Sequence, residues 1–220
     1  MHNNIIDPTV LLNRDDIKIV QMETSSVCNA ACPTCARERF LQFNKKTAVS
    51  LSLTKVKEIF TEKFIANLDY LDMCGNTGDP AAAPETIEIF KYFRKINNSM
   101  AFGMHTNGSL RDTSWWKNLG QVLSRSQDRC VFGIDGLEDT NHIHRVNTNF
   151  KKIIQNSQAF IKAGGNAHWH FLVFEHNEHQ VEEARALSQD LGFRNFTPKV
   201  SNRFFMNIKH IQPPKSKRWQ

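Results

Sequence analysis

At 220 residues, with 40% hydrophobic and 23% charged side chains, the chain is long enough to bury one sizeable core, and a mostly disordered polymer is excluded. The formal charge of +6 is dispersed apart from the run Lys215-Ser216-Lys217-Arg218, which predicts a solvated surface rather than a nucleic-acid stripe. No apolar run approaches the roughly 20 residues of a membrane span and residues 1–13 lack the blocks of a signal peptide, so a cytoplasmic protein away from membranes is expected.

Residues 17–23 alternate as a strand and lead straight into a loop holding Cys28, Cys32 and Cys35. Ser52 or Thr54 can cap a helix through Val56, Ile59, Phe60 and Phe64, ending near Asn67. A strand over 68–74 and a turn rich in Gly, Asn, Asp and Pro follow. Pro84 opens a second helix, and the strand 100–105 closes on Thr106-Asn107-Gly108. A helix over 113–123, a strand over 130–135 ending at Gly136, and a helix stopped by Gly164-Gly165 continue the pattern. The strand 167–174, a helix over 178–191 and a strand over 196–200 complete it, and residues 204–220 read as a short basic tail. One domain spanning 1–220 is expected, with its core at 17–200.

Strands alternating with helices at roughly 30-residue intervals specify an α/β fold with a parallel sheet and right-handed crossovers. Alternation assigns Val20, Met22, Leu71, Met73, Phe102 and Met104, then Phe132, Ile134, Trp169, Phe171 and Val173, to the helix side. The opposite face carries Gln21, Glu23, Tyr70, Asp72, Cys74 and Gly103, then His105, Gly133, Asp135, His168 and His170. A face this polar suits the inside of a partial (βα)6 TIM-like barrel holding a polar ligand, with helices outside. Ligands gather at the carboxyl ends of parallel strands, and the special turns after the first four strands all lie there.

Three of the five cysteines fall within eight residues, spaced C-x3-C-x2-C, which fits a metal site in a reducing compartment better than a disulfide framework. Three thiolates leave a tetrahedral zinc site one ligand short unless His105, His168 or Cys74 supplies it. The same thiolates on an iron–sulfur cluster leave one iron open to a small molecule. A non-catalytic zinc- or nucleic-acid-binding module using the loop and the basic tail is the alternative from another class.

Taken together, Cys28/Cys32/Cys35, Gly75-Asn76-Thr77-Gly78-Asp79-Pro80, Thr106-Asn107-Gly108 and Ile134-Asp135-Gly136 with Arg145 resemble the radical S-adenosylmethionine superfamily. The resemblance covers residues 17–200 and is closest to the branch of peptide-modifying maturases and the molybdenum-cofactor cyclase, which carry C-terminal extensions. It implies a [4Fe–4S] cluster on Cys28, Cys32 and Cys35, with S-adenosylmethionine chelating the fourth iron. Reductive cleavage to a 5′-deoxyadenosyl radical and abstraction of a substrate hydrogen atom would follow, with an electron donor of the flavodoxin or ferredoxin type.

The resemblance also implies cofactor contacts from Thr77, Gly78, Asp79, Thr106, Asn107, Gly133, Asp135 and Arg145. Thr77 and Asp79 stand where the family has Gly and Glu, Gly133 where it has a serine, and Thr34 where an aromatic residue often precedes the third cysteine. A cluster-binding domain without turnover is therefore a third reading. Tyr70, Asp72, His168 and His170 are the candidate catalytic or substrate residues, since alternation turns them inward, although a histidine pair can also serve as hydrogen-bonded barrel residues. Cys74 and Cys130 are too few for an all-cysteine auxiliary cluster. A barrel without a lid would stay open at its side or mouth, which predicts a large substrate such as a peptide or protein, or closure by a partner chain.

Overall fold

Six short strands pair in the order β1-β2-β3-β4-β5-β6, every neighbouring pair parallel. They are Ile19–Met22, Tyr70–Met73, Ala101–Thr106, Arg129–Gly133, Ala167–Val173 and Asn195–Val200. The computed structural model describes residues 13–38, 48–204, 208 and 210–219; the lead-in through Leu12 and the last residue of the tail lie outside the described residues. Among the described residues β1 and β6 each have one strand neighbour, so the sheet is an open α/β half-barrel.

Past the cysteine loop, the helices among the described residues are α1 Leu53–Ile59, α2 Glu62–Ala66, α3 Thr86–Ile96, α4 Thr113–Val122, α5 Asn141–His144, α6 Phe150–Lys162 and α7 Val181–Asp190. Side chains of Ser52, Thr61, Asp112 and Asn149 accept backbone N–H groups of Lys55, Phe64, Trp115 and Lys152, which fixes where four of them start. Among the described residues no helix is long and apolar enough to cross a membrane.

The predicted helix-side face of the strands is observed, whereas Asp135, expected on the opposite face, lies past the end of β4 and turns to His144 and Arg145. Met22, Leu71, Met73, Phe102, Met104, Phe132, Ile134, Trp169, Phe171 and Val173 all join the buried hydrophobic cluster beneath the helices, with Val20 packed against it. Trp116, Phe160 and Phe193 close over Phe132 at ring-centroid distances of 5.2, 5.8 and 5.9 Å. Each large apolar side chain buried this way contributes about 1.5–3 kcal/mol, so the polar face is left as the only one that can border solvent or ligand.

Four expectations change. The helix expected from Ser52 to Asn67 is two helices, because Thr61 caps a new N-terminus within a continuous apolar stripe. The helix expected at Pro84 starts at Thr86, and Glu85 uses its Oε2 to accept from Leu53 N at 2.9 Å. The helix over 178–191 opens as a 3-10 turn, Glu178–Gln180. The basic tail folds back onto acids: Lys215 pairs with Glu175, Arg218 with Glu182 at 2.7 Å, and Ser216 N donates to Glu178. Two of the run's three cations, Lys215 and Arg218, thus have an acid partner within the chain.

Candidate active site

The cysteine loop leaves β1 and is held by backbone bonds from three other segments. Asp79 N donates to Val27 O at 2.8 Å, Ala31 N to Val146 O at 3.0 Å, and Ser26 N to Val49 O at 2.9 Å. Gly78 lies against this loop so closely that a Cβ there would stand 2.7 Å from Val27 O, so only glycine allows the approach. Cys28, Cys32 and Cys35 are free thiols lining one cavity of about 380 Å3 at the carboxyl ends of the strands.

Nitrogen donors aim at two of the sulfurs. Cys28 Sγ receives Ala30 N at 3.4 Å and Asn107 Nδ2 at 3.5 Å, and Cys32 Sγ faces Arg145 Nη1 at 3.9 Å. Burial, then the nearby Asp79, pushes the Cys28 thiol up to about 11, and burial raises Cys32 as well. Buried thiols supplied with N–H donors are protonated on their own and suited to carry charge once a metal replaces the proton. Among the described residues no three His, Cys, Asp or Glu side chains gather around a point that would hold a single metal ion. Of the fourth ligands considered for zinc, Cys74 donates its thiol to Glu23 Oε1 at 2.9 Å and His168 does not line the cavity, whereas His105 does.

Glu23 organises the turn after β2. Its two oxygens accept from Cys74 Sγ, Asn76 N and Nδ2, and Thr77 N and Oγ1, at 2.8 to 3.0 Å. Thr77 is thereby an exposed residue turned to Glu23 and Ser25 and does not line the cavity. Asp79, buried at the cavity wall, clamps the next turn. It accepts from Thr106 Oγ1 at 2.9 Å, from Asn107 N and Nδ2 at 2.8 Å, and from Ala81 N at 2.9 Å. Gly78, Asp79, Thr106 and Asn107 all reach the cavity.

Asp135 does not. It is fully buried, with Oδ2 2.6 Å from Arg145 Nε and 2.7 Å from His144 Nδ1, while Oδ1 accepts from Leu172 N at 2.8 Å. Burial would raise this carboxyl, but Arg145 and the bond from His144 outweigh it and hold the group down at about 2. Burial lowers His144 against the opposing pull of Asp135, and in its neutral form the network puts the proton on Nδ1 and leaves Nε2 to accept from Thr34 Oγ1 at 2.8 Å. Thr34 therefore has a hydrogen-bonding role in the cysteine loop rather than an aromatic one. Arg145 is not a surface residue; it caps α5, lines the cavity, and lies over Gly133, where a Cβ would come within 2.9 Å of its Cζ.

Farther down the half-barrel, Tyr70 Oη donates to Asp72 Oδ1 at 3.3 Å, and Asp72 Oδ2 is 3.7 Å from His105 Nε2. A Cβ on Gly103 would stand 2.8 Å from Tyr70 Cζ, so that glycine makes room for the pair. His170 lines the cavity, whereas Tyr70, Asp72 and His168 sit beyond it, with Nε2 of His168 buried and unbonded. Sequence reasoning missed Lys199, Arg37, His144 and Arg203, whose Nη1 donates to Thr34 O at 3.3 Å. Period-2 alternation on β6 could have found Lys199; the others act across loops and carry no local signal.

Comparison with known proteins adds three findings. The sequence model described as the Radical SAM superfamily matches residues 22–187. No curated protein matches the sequence significantly. Among solved structures, the chain is similar to Streptococcus suis SuiB bound to precursor peptide SuiA, with TM-score 0.65 and 13% identity over 84% of this chain and 39% of that one. It is also similar to anSMEcpe with bound AdoMet (0.61, 18%, 83% and 49%) and to methylornithine synthase PylB (0.58, 12%, 84% and 54%). At these identities the likeness is one of fold, and the chain spans well under two thirds of each structure.

Proposed function

Because the chain belongs to the Radical SAM superfamily, we propose that it is an enzyme that holds a [4Fe–4S] cluster on Cys28, Cys32 and Cys35 and binds S-adenosylmethionine beside it. The observation that carries this reading is the convergence of three free thiols, the Asp79-clamped turn and the half-buried Arg145 on one cavity. Bound there, the two cofactors supply one-electron cleavage of a sulfonium C–S bond and, from it, hydrogen-atom abstraction.

The chain's own residues bind and orient. Arg145, charged and fixed by Asp135, is the partner for the cofactor's carboxylate. Gly78, Thr106, Asn107 and Gly133 form the cavity wall for the rest of it, while Asp79 holds two of those turns together instead of offering a free carboxylate. Thr77 and Asp135 act one layer behind, through Glu23 and Arg145. His170 and His105 border the substrate space.

A peptide or protein is the proposed substrate class, supported by the SuiA peptide bound to SuiB and by the open side of the half-barrel. Anaerobic purification should yield iron and acid-labile sulfide in the proportions of one cluster, with 5′-deoxyadenosine formed on adding dithionite and S-adenosylmethionine. Stoichiometric zinc without iron or sulfide would overturn the proposal.

A further inference from the structure

From β3 to β6 the inner face of the half-barrel presents three imidazoles, His105, His168 and His170, and the ammonium of Lys199, with Arg129 at the lower end; Asp72 lies 3.7 Å from His105. Among the described residues no carboxylate lies within 4.0 Å of Lys199 Nζ, which stands 3.4 Å from His170 Nδ1, one basic group against another. Strand register pairs Lys199 with Leu172, on the face of β5 that also bears His170, and all three line the cavity of the three thiols. The other cations there are committed: Arg145 to Asp135 and Arg37 to Glu38. The acid at the wall, Asp79, has its oxygens filled by the Thr106–Asn107 turn.

Burial, then the charge of Lys199, with His105, His168 and Arg129 nearby, presses His170 down to about 4. A neutral imidazole accepts from the lysine at Nδ1 and keeps its proton on Nε2 as a donor. An ammonium and an imidazole N–H side by side, without a protein acid, match an oxyanion, and charge-assisted bonds of this kind are roughly twice as strong as neutral ones.

We infer that the substrate carries a carboxylate or a phosphate and that Lys199, at the exposed edge of the cavity, binds it together with His170. This rests on the proposed function, since it takes the space beside Cys28, Cys32 and Cys35 as the place where substrate lies.

The test is equilibrium dialysis of the anaerobically purified protein, as isolated and saturated with S-adenosylmethionine, against three probes. These are inorganic pyrophosphate, the capped peptide acetyl-Gly-Glu-Gly-amide, and its Gln counterpart. One of the two anions should bind saturably while the Gln peptide does not; pyrophosphate points to a phosphorylated substrate and the Glu peptide to an acidic peptide. Lys199→Met should weaken that binding at least tenfold and Lys199→Arg should retain most of it, with unchanged far-UV circular dichroism in both.

Equal binding of the Glu and Gln peptides, binding of neither anion, or undiminished affinity in Lys199→Met overturns the inference. So does a Lys199→Met protein that loses affinity for S-adenosylmethionine alone, which would assign the lysine to the cofactor. Iron content and 5′-deoxyadenosine are measured on the same samples. Intact cleavage without anion binding removes this inference only, whereas zinc in place of iron removes the proposed function.

Discussion

The Asp135 carboxylate lies 2.6 Å from Nε of Arg145 and is wholly shielded from solvent. The pair sets a guanidinium over Gly133 and 3.9 Å from the sulfur of Cys32, so a residue that never reaches the cavity decides the charge at its wall.

Replacing Asp135 by Asn leaves that guanidinium without its counter-charge, and a loss on the order of 3–5 kcal/mol in unfolding free energy is expected. The folded-state carboxyl is held down at about 2, below the ordinary value near 4, so its stabilisation is complete above pH ~4 and is lost as pH falls toward 2. Urea unfolding of wild type and Asp135→Asn at several pH values should show their difference shrinking over that window. A difference that stays constant there contradicts this account.

The family resemblance implies a serine at the place of Gly133, yet Gly133→Ser is expected to weaken S-adenosylmethionine binding. The new Cβ would fall within 2.9 Å of Arg145 Cζ and push the guanidinium off its seat. Cofactor affinity by calorimetry should drop with iron content unchanged, and in an Arg145→Ala background the same substitution should cost much less. Tighter binding in the single variant would show that the serine hydroxyl matters more than the displaced arginine.

Glu23 gathers five donors from Cys74, Asn76 and Thr77, so Glu23→Ala frees the whole turn after β2. Each bond to a charged acceptor is worth about 1.5–3 kcal/mol at most, and the turn is partly wet, so a net loss on the order of 2 kcal/mol is expected. Proteolysis should then cut within residues 75–78 faster than in wild type, and S-adenosylmethionine affinity should fall. An unchanged cleavage pattern would mean the turn is held by its glycines and the bond from Asp79 N alone.

Two cysteines should part company. Cys32→Ala removes a thiol from a loop that contributes little to the core, so iron should be lost while far-UV circular dichroism and the unfolding midpoint stay near wild type. Cys130→Ala removes a fully buried sulfur from the hydrophobic cluster, so iron should be retained and stability should fall by roughly 1 kcal/mol. Metal analysis and thermal unfolding of both variants check the pair, and iron retained by Cys32→Ala would take that residue out of the ligand set.

The βα period, the split of each strand into an apolar and a polar face, and the gathering of the special turns at one end were all legible in the sequence. Period and turn chemistry are local properties, and parallel connectivity converts their order along the chain into position in space. What lay beyond the sequence is of another kind. Thr61 interrupts an apolar stripe that reads as one helix, and α5 turns Arg145 inward. Asp135 looks like a cavity residue by alternation, but β4 ends at Gly133 and the carboxylate turns to His144 and Arg145. The basic tail meets Glu175 and Glu182. Each of these depends on partners brought together by the finished fold, such as Thr34 and His144, 110 residues apart. The chain itself determined which residues stand at the mouth of the half-barrel; tertiary structure decided which of them keep a free polar group there, because a buried charge or donor takes its partner wherever packing supplies one.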